Sequence, residues 1–466
     1  MPRSIKHLTL FLCTAFTILS SALGIPLSNK SGKTIEVEIL QIEPNRVCIQ
    51  LQNNKKLWLE RSRLSDKSLQ LIAALEAEQQ SKYTMINDLL GIALLQDNYL
   101  WDDTCESVAR RLKWPLEFKT ANQSGYRYYP KEKYMISGTR AYACSLNGID
   151  GKAAGLSIFF ANKGDFIFSP IPTGDEIEAM EKTVEQDEAR LFAHLSEALG
   201  KPTRQSLGGS GSLRERTYRW DWGDHAFLLA SQKGEYVSLR IISSDVADNR
   251  GRSERLSDAA LRKLTRKNVT TRKNGDVIIK NIPMVDQGPK GYCVPATFER
   301  YLRYVNIPVD MYILAMAGQT GVGGGTYLSE IMEAVESYLS SQNRSLKQIR
   351  ETIDIRTVQK YIDDGLPIIW PLFSSKQYNL YADQRTMNRK TISDWDAWKK
   401  KLEEEERDLR FSKHIQTAHV CLITGYNEVT GEIAVSDSWG SEFEERWISI
   451  QHAEQVSQGT IYLINF

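Results

Sequence analysis

The chain has 466 residues, which is long for one domain and predicts two to four. Its 41% hydrophobic and 25% charged residues are ordinary for globular proteins. The formal net charge of +1 gives no indication of nucleic-acid binding or of a general attraction to membranes.

Residues 1–24 read as a signal peptide. Arg3 and Lys6 precede an uncharged apolar run over residues 8–23, and residues 22–24 have the small-x-small pattern of a cleavage site. The alternative is an uncleaved anchor, although the run is short for a membrane span. We therefore expect an exported protein, secreted or in the periplasm or cell envelope, without stable membrane insertion once the signal is removed.

Residues 25–75 carry the alternating pattern of short strands. Apolar residues recur two apart over 34–39 and 47–51, Asn53 and Asn54 mark a hairpin turn, and Ser65 is suited to cap a helix. The segment resembles the small SH3-like module of exported bacterial proteins. The resemblance implies a β-barrel that binds a surface partner or acts as a spacer; a generic small barrel is the alternative.

Residues 96–246 predict an α+β domain of unknown role. A helical stretch followed by antiparallel strands occurs twice, which indicates a tandem repeat or a chance likeness of two common arrangements. The helices end at residues 112–115 and 199–202, and the strands lie at 140–146 and 156–160, then at 226–231 and 236–243. Cys105 and Cys144 are candidates for a disulfide that spacing alone does not decide.

Residues 247–275 are predicted as a basic linker. From Arg250 to Lys273 nine residues are Lys or Arg and two are acidic. We expect a solvated connector with one short helix; a site for activating proteolysis is the alternative.

The candidate chemistry lies in residues 276–466. Phe298, Leu302 and Val305 recur on one helical face, which places Cys293 at or just before a helix N-terminus. The positive end of a helix and a neighbouring imidazolium both lower the pKa of a thiol. Six residues upstream, Gln287 is suited to donate to an oxyanion beside the Cys293 backbone N–H.

His419 is the candidate base, and it lies in a strand-like segment that ends in a glycine turn. A second strand-like segment follows at residues 433–440 and contains Asp437. Antiparallel pairing of the two segments would bring Asp437 beside His419, where a carboxylate fixes the orientation of the imidazole.

This order of residues is similar to the papain pattern: Gln287, Cys293 six residues later, His419 after a further 126 positions, and Asp437 before Ser-Trp-Gly. Three details resemble the bacteriocin-leader-processing peptidases, family C thirty-nine, and their relatives. They are Pro283 four residues before Gln287, the Cys-x-Pro-Ala helix start at 293–296, and the Gly-x-Pro segment at 365–367.

The resemblance implies a papain-like cysteine peptidase fold at the C-terminus and a multidomain α+β protein overall. It gives the four residues the roles of nucleophile (Cys293), base (His419), orienting group (Asp437) and oxyanion donor (Gln287). It implies hydrolysis of peptide bonds through a thioester, with a peptide or protein as substrate and no cofactor. Scattered cysteines and histidines predict no metal site.

Two features depart from the family's pattern. Val294 stands where Gly is common, and residues 374–414 form a long insertion that is either a solvated helical surface or a lid over the cleft.

Cys421 is a rival thiol, which we interpret as core. The alternatives to a peptidase are a transglutaminase-like acyl transferase and an inactive peptidase-like binding module.

Overall fold

The computed structural model describes residues 16–17, 24–96, 99–167, 172–208, 211–252, 256–322, 324–350 and 352–466. These residues form two compact units. The first contains the described residues up to Trp114 together with 135–138 and 151–154, and the second contains 115–134, 139–150 and the described part of 155–466. Almost all of the predicted signal peptide, residues 1–24, lies outside the described residues. In the part of the chain described, no helix has the length and apolar character needed to cross a bilayer.

The first unit contains a small antiparallel sheet in the order β1-β3-β4-β5, with β2 also paired to β3. The elements are β1 (Phe16–Thr17), β2 (Ile25–Ser28), β3 (Thr34–Ile42), β4 (Arg46–Leu51), β5 (Lys56–Glu60), α1 (Asp66–Leu90) and α2 (Cys105–Leu112). The predicted hairpin turn at Asn53 and Asn54 joins β4 to β5, and Asn54 has a φ of 62°. Ser65 caps α1 by accepting from the Ser68 N–H, as predicted. The SH3-like fold itself stays a prediction.

An eight-stranded sheet follows in the second unit, in the order β12-β13-β14-β15-β11-β10-β7-β6. Elements along this part of the chain are β6 (Leu116–Lys119), β7 (Gln123–Tyr128), β8 (Tyr134–Ile136), β9 (Thr139–Ala141), β10 (Ala143–Ile149), β11 (Lys152–Asn162), α3 (Lys163–Phe166), α4 (Gly174–Leu199), β12 (Thr203–Gly208), β13 (Arg214–Trp222), β14 (His225–Gln232), β15 (Tyr236–Ser243) and α5 (Ser244–Asp248). The order is mirrored about the antiparallel pair β11–β15. Two copies of a helix-plus-strands repeat would give this order, and the repeat stays a prediction.

The second unit continues into an antiparallel sheet in the order β16-β17-β20-β19-β23-β18, with β21 between β20 and β22. Its elements are α6 (Asp258–Lys267), β16 (Val269–Thr271), β17 (Asp276–Ile279), α7 (Cys293–Tyr304), α8 (Met311–Ala317), α9 (Leu328–Ser341), β18 (Ser345–Ile349), α10 (Ile355–Ile362), β19 (Ile368–Phe373), α11 (Lys376–Arg389), α12 (Trp395–Asp408), β20 (Ala418–Asn427), β21 (Glu432–Ser436), β22 (Arg446–Ser449), α13 (Ile450–Val456) and β23 (Ile461–Asn465). The chain is thus of mixed α and β structure with several sheets.

The eight-stranded sheet and the C-terminal region share one hydrophobic core. Phe159 of β11 stacks on Tyr312 of α8 with ring centroids 3.9 Å apart, and both side chains are fully buried. The predicted basic linker contains the expected short helix, α6, but Leu261 and Thr265 of that helix are buried and β16 pairs with β17. The part of residues 247–275 from α6 onward is therefore built into the fold, because its apolar and strand-forming residues pack there.

Free thiols account for all five cysteines in the described part of the chain. The disulfide considered for Cys105 and Cys144 is therefore not formed. Both thiols are buried, and they belong to different compact units.

Candidate active site

Cys293 is the first residue of helix α7, as the sequence predicted. Phe298, Leu302 and Val305 are buried, so the predicted apolar face of the helix packs into the core. Cys293 itself is half-buried, unlike the residues that follow it. Its thiol therefore lies at the positive end of a helix.

His419 lies near the start of β20, and Asp437 follows directly after β21. The two strands pair antiparallel, with Leu422 opposite Ser436. This pairing places His419 Nε2 2.8 Å from Asp437 Oδ1, and both side chains are buried. The predicted neighbourhood of His419 and Asp437 is thus present, and the ring nitrogen Nδ1 is left for another partner.

The Cys293 thiol and the His419 imidazole are close enough to shift each other's pKa. Burial alone would raise the pKa of the Cys293 thiol, but the interaction with His419 lowers it below its ordinary value. Burial alone would lower the pKa of His419, but the interactions with Asp437 and Cys293 raise it to about 9. The geometry favours a thiolate beside an imidazolium.

Trp439 covers one face of the His419 ring. The ring centroids are 4.6 Å apart and the planes are inclined by 29°. The stack fixes the plane of the imidazole, while Asp437 fixes its rotation within that plane.

Arg446, at the start of β22, binds the other oxygen of Asp437. Its Nε and Nη2 donate to Asp437 Oδ2 at 2.9 and 2.6 Å. Burial alone would raise the pKa of Asp437, but the Arg446 charge and the His419 bond hold it below its ordinary value. Arg446 in turn donates to Asn379 and Asp383 of helix α11 at 3.2 and 3.1 Å. The insertion thus reaches the site through Arg446.

Arg300 connects helix α7, which begins at Cys293, to strand β21, which ends directly before Asp437. It lies on α7 and donates to the Ser436 carbonyl and the Ser436 Oγ at 3.1 and 2.5 Å. Its third contact is the Pro283 carbonyl at 3.1 Å. Neither Arg300 nor Arg446 belongs to a motif that sequence analysis could recognise.

Gln287 is buried at the edge of the site. Its backbone N–H donates to the Ser438 carbonyl at 2.9 Å, next to Asp437. Its Nε2 donates to the Lys290 carbonyl at 2.8 Å, and its Oε1 has no hydrogen-bond partner in the described structure. One Nε2 hydrogen therefore remains for a further acceptor.

Cys421, the rival thiol, is fully buried in β20. Burial raises its pKa well above the ordinary value. It is therefore a core residue and not a competing nucleophile. Within the described residues no group of three or more His, Cys, Asp or Glu side chains is arranged to hold a metal ion.

Residues 279–462 match the Peptidase_C39 like family. This stretch contains Cys293, His419, Asp437 and Gln287, and this part of the chain is similar to cysteine peptidases. No curated protein matches the chain.

Proposed function

We propose that the protein is a cysteine peptidase that hydrolyses peptide bonds through a thioester at Cys293. The observation that carries the proposal is the continuous chain from the Cys293 thiol through His419 to Asp437, with the thiol at a helix N-terminus. This arrangement supports the proposal, because a nucleophile needs a base within hydrogen-bond reach and the base needs a group that orients it.

In the first half-reaction the Cys293 thiolate adds to the scissile carbonyl carbon, and the carbonyl electron pair becomes an oxyanion. The Cys293 backbone N–H and the free Nε2 hydrogen of Gln287 are the donors we assign to that oxyanion. The imidazolium of His419 then protonates the amine as the C–N bond breaks, which leaves a thioester.

In the second half-reaction His419 is neutral and removes a proton from water as the water oxygen adds to the thioester. The C–S bond breaks, the acid product leaves, and the thiolate–imidazolium pair is restored. Asp437 keeps its charge throughout and holds the imidazole in the orientation that both steps use.

Peptide-library digestion followed by mass spectrometry tests the proposal. Wild-type protein should release new carboxyl termini, and Cys293→Ala should release none, whereas Cys421→Ala should behave as wild type. Equal cleavage by Cys293→Ala would contradict the proposal. With an added primary amine, amide products in place of acids would instead show acyl transfer.

We further propose export directed by residues 1–24 and a surface partner for the N-terminal sheet. The charged start and apolar run of the segment support export. N-terminal sequencing of protein recovered from the envelope or medium of a bacterial host tests it; a first residue near Ile25 supports cleavage, and an intact Met1 in the cytoplasm contradicts it.

A further inference from the structure

The loop that contains Gln287 and leads to Cys293 is held by residues far upstream in the chain. These residues come from the eight-stranded sheet and from the short helix α3 that follows β11. A papain-like site needs no such sheet for its chemistry, since the nucleophile, base and orienting group all lie in residues 279–462. The contacts therefore require a separate explanation.

Lys290 is the centre of this attachment. Its Nζ lies 2.7 Å from Asp165 Oδ1, at the end of α3, and the side chains of both residues are buried. The same Nζ donates to the Gln287 carbonyl at 3.2 Å. Because Gln287 Nε2 donates to the Lys290 carbonyl, both the main chain and the side chain of Gln287 are bound by Lys290.

Asp286, the residue before Gln287, is bound at its backbone N–H by strand β6 and at its carbonyl by Tyr129, the residue that follows β7. Its N–H donates to Glu117 Oε1 of β6 at 2.8 Å. Its carbonyl accepts from the Tyr129 hydroxyl at 2.6 Å. The Tyr129 ring also faces Lys290, with Nζ 4.3 Å from the ring centroid. The start of the loop is thus fixed in position by two upstream side chains.

Tyr292, the residue before Cys293, packs directly against α3. Its hydroxyl lies 3.3 Å from Asn162 Oδ1, and its side chain is fully buried. A Cβ added at Gly164 would lie 2.7 Å from Cζ and Oη of Tyr292. Glycine at this position therefore allows the ring to approach the helix as closely as it does.

We propose that the eight-stranded sheet and α3 form a positioning element for the loop 286–292, with Asp165 and Lys290 as its central pair. This proposal depends on the proposed function in one respect, the catalytic roles of Gln287 and Cys293. The upstream region is then a required part of the active site in cis, and not an independent module.

Two substitutions in the full-length protein test the proposal, each with a matched control. Asp165→Asn removes the charge that pairs with Lys290, and its control is Glu215→Gln. Glu215 of β13 is also buried, and it pairs with Arg240 at 2.5 Å and accepts from Tyr236, both residues of β15. Gly164→Ala places a methyl group against Tyr292, and its control is Gly174→Ala, where an added Cβ meets nothing within 4 Å.

Hydrogen exchange followed by mass spectrometry is the first readout. In Asp165→Asn and Gly164→Ala we expect faster exchange in the peptide covering residues 286–293, with the peptide covering β20 unchanged. The controls should exchange at the wild-type rate in both peptides. Loop exchange in the two test variants equal to that of their controls would overturn the proposal, whether or not the protein hydrolyses any peptide.

Steady-state kinetics is the second readout. A loop displaced by about 1 Å costs roughly a hundredfold in rate, so kcat should fall about a hundredfold in the test variants with little change in KM. A merely structural role would lower thermal stability in Asp165→Asn and Glu215→Gln alike and leave kcat of the folded protein unchanged. Hydrolysis that does not depend on Cys293 would defeat the proposed function, while the exchange comparison would still decide the positioning role.

Discussion

Arg446 binds Asp437 through two hydrogen bonds, at 2.9 and 2.6 Å, to the carboxylate oxygen that the imidazole does not use. The guanidinium is only 2% exposed. Both oxygens of the carboxylate therefore have hydrogen-bond partners. One oxygen binds His419 and orients the imidazole, and the other binds Arg446, which holds the carboxylate in place. The pair makes the orientation of the base depend on a residue of β22.

The first prediction concerns Arg446→Met. Breaking a buried ion pair by removing one partner leaves a buried charge unpaired, so the free energy of unfolding should fall by about 3–5 kcal/mol. The freed Asp437 carboxylate should turn and misplace His419, and kcat should fall by up to about a hundredfold. Urea unfolding and steady-state kinetics measure the two effects.

Arg272→Met is the control for Arg446→Met. Arg272 pairs with Glu445 at 2.6 Å and lies 3.7 Å from the buried Asp276, but its side chain is 41% exposed and Asp276 keeps its bonds to Arg389, so its loss should cost about 1 kcal/mol. Wild-type kcat in Arg446→Met would show that Asp437 holds its position without the guanidinium.

The second prediction concerns pH. The thiolate forms as the pH rises through the lowered pKa of Cys293, and the imidazolium is lost as the pH rises through about 9, the pKa of His419. The reactive pair therefore exists between these two pKa values. As the pH increases, kcat/KM should rise through the pKa of Cys293 and fall through the pKa of His419. Iodoacetamide alkylation of Cys293 should already be fast at a pH below the ordinary thiol pKa of about 8.5.

His419→Asn tests the origin of that behaviour. Without the imidazolium, burial is the main influence left on the thiol, so its pKa should rise to its ordinary value or above. The alkylation curve of Cys293 should then move to higher pH. Identical curves for wild type and His419→Asn would show that the thiol and the imidazole do not interact.

The sequence was sufficient to find the residues that react in the proposed mechanism. Cys293 could be placed at a helix start because apolar residues follow it at helical spacing, and His419 could be paired with Asp437 because two strand patterns lie close together in the chain. These signals are local, and the structure shows the same helix and strands. Papain-like and SH3-like folds stay predictions.

The residues that hold the site could not be found in the same way. Arg446 and Arg300 act through contacts that depend on how strands and helices pack, and no fixed spacing marks them. Asp165 and Lys290 are 125 positions apart (290 − 165) and meet only because the eight-stranded sheet shares a core with the C-terminal region. The basic composition of residues 247–275 predicts a solvated linker and gives no indication that Leu261 is buried in the fold.

The third prediction concerns Trp439→Ala. The indole stacks on His419 and shields one face of the imidazole from water. Its removal should let the ring tilt and hydrate, which weakens the interaction with Cys293 and moves the alkylation curve to higher pH. Trp439→Phe keeps an aromatic face, so its alkylation curve should lie between those of the wild type and Trp439→Ala. An unchanged curve in Trp439→Ala would show that Asp437 alone fixes the imidazole.

The fourth prediction separates the two interpretations of the insertion over residues 374–414. Helix α12 buries Trp398 and Leu402, so it is not only a solvated surface. Glu432 of β21 is fully buried and accepts from Arg385, Arg389 and Trp398 at 2.8, 2.9 and 3.1 Å. The insertion is thus packed onto β21 by a charged network. Glu432→Gln should lower the free energy of unfolding by about 3–5 kcal/mol, since it leaves two buried guanidinium groups short of one charge.

Below its unfolding temperature, Glu432→Gln should keep the wild-type alkylation curve and KM, because Arg446 retains both of its bonds to Asp437. Lys401→Met, on helix α12 of the insertion, is the control. Lys401 is 50% exposed and lies 3.8 Å from Glu405, so its loss should leave stability within about 1 kcal/mol. If Glu432→Gln instead kept its stability and raised KM, the insertion would act on the substrate as a lid, because loosening a purely structural layer costs folding energy before it alters binding.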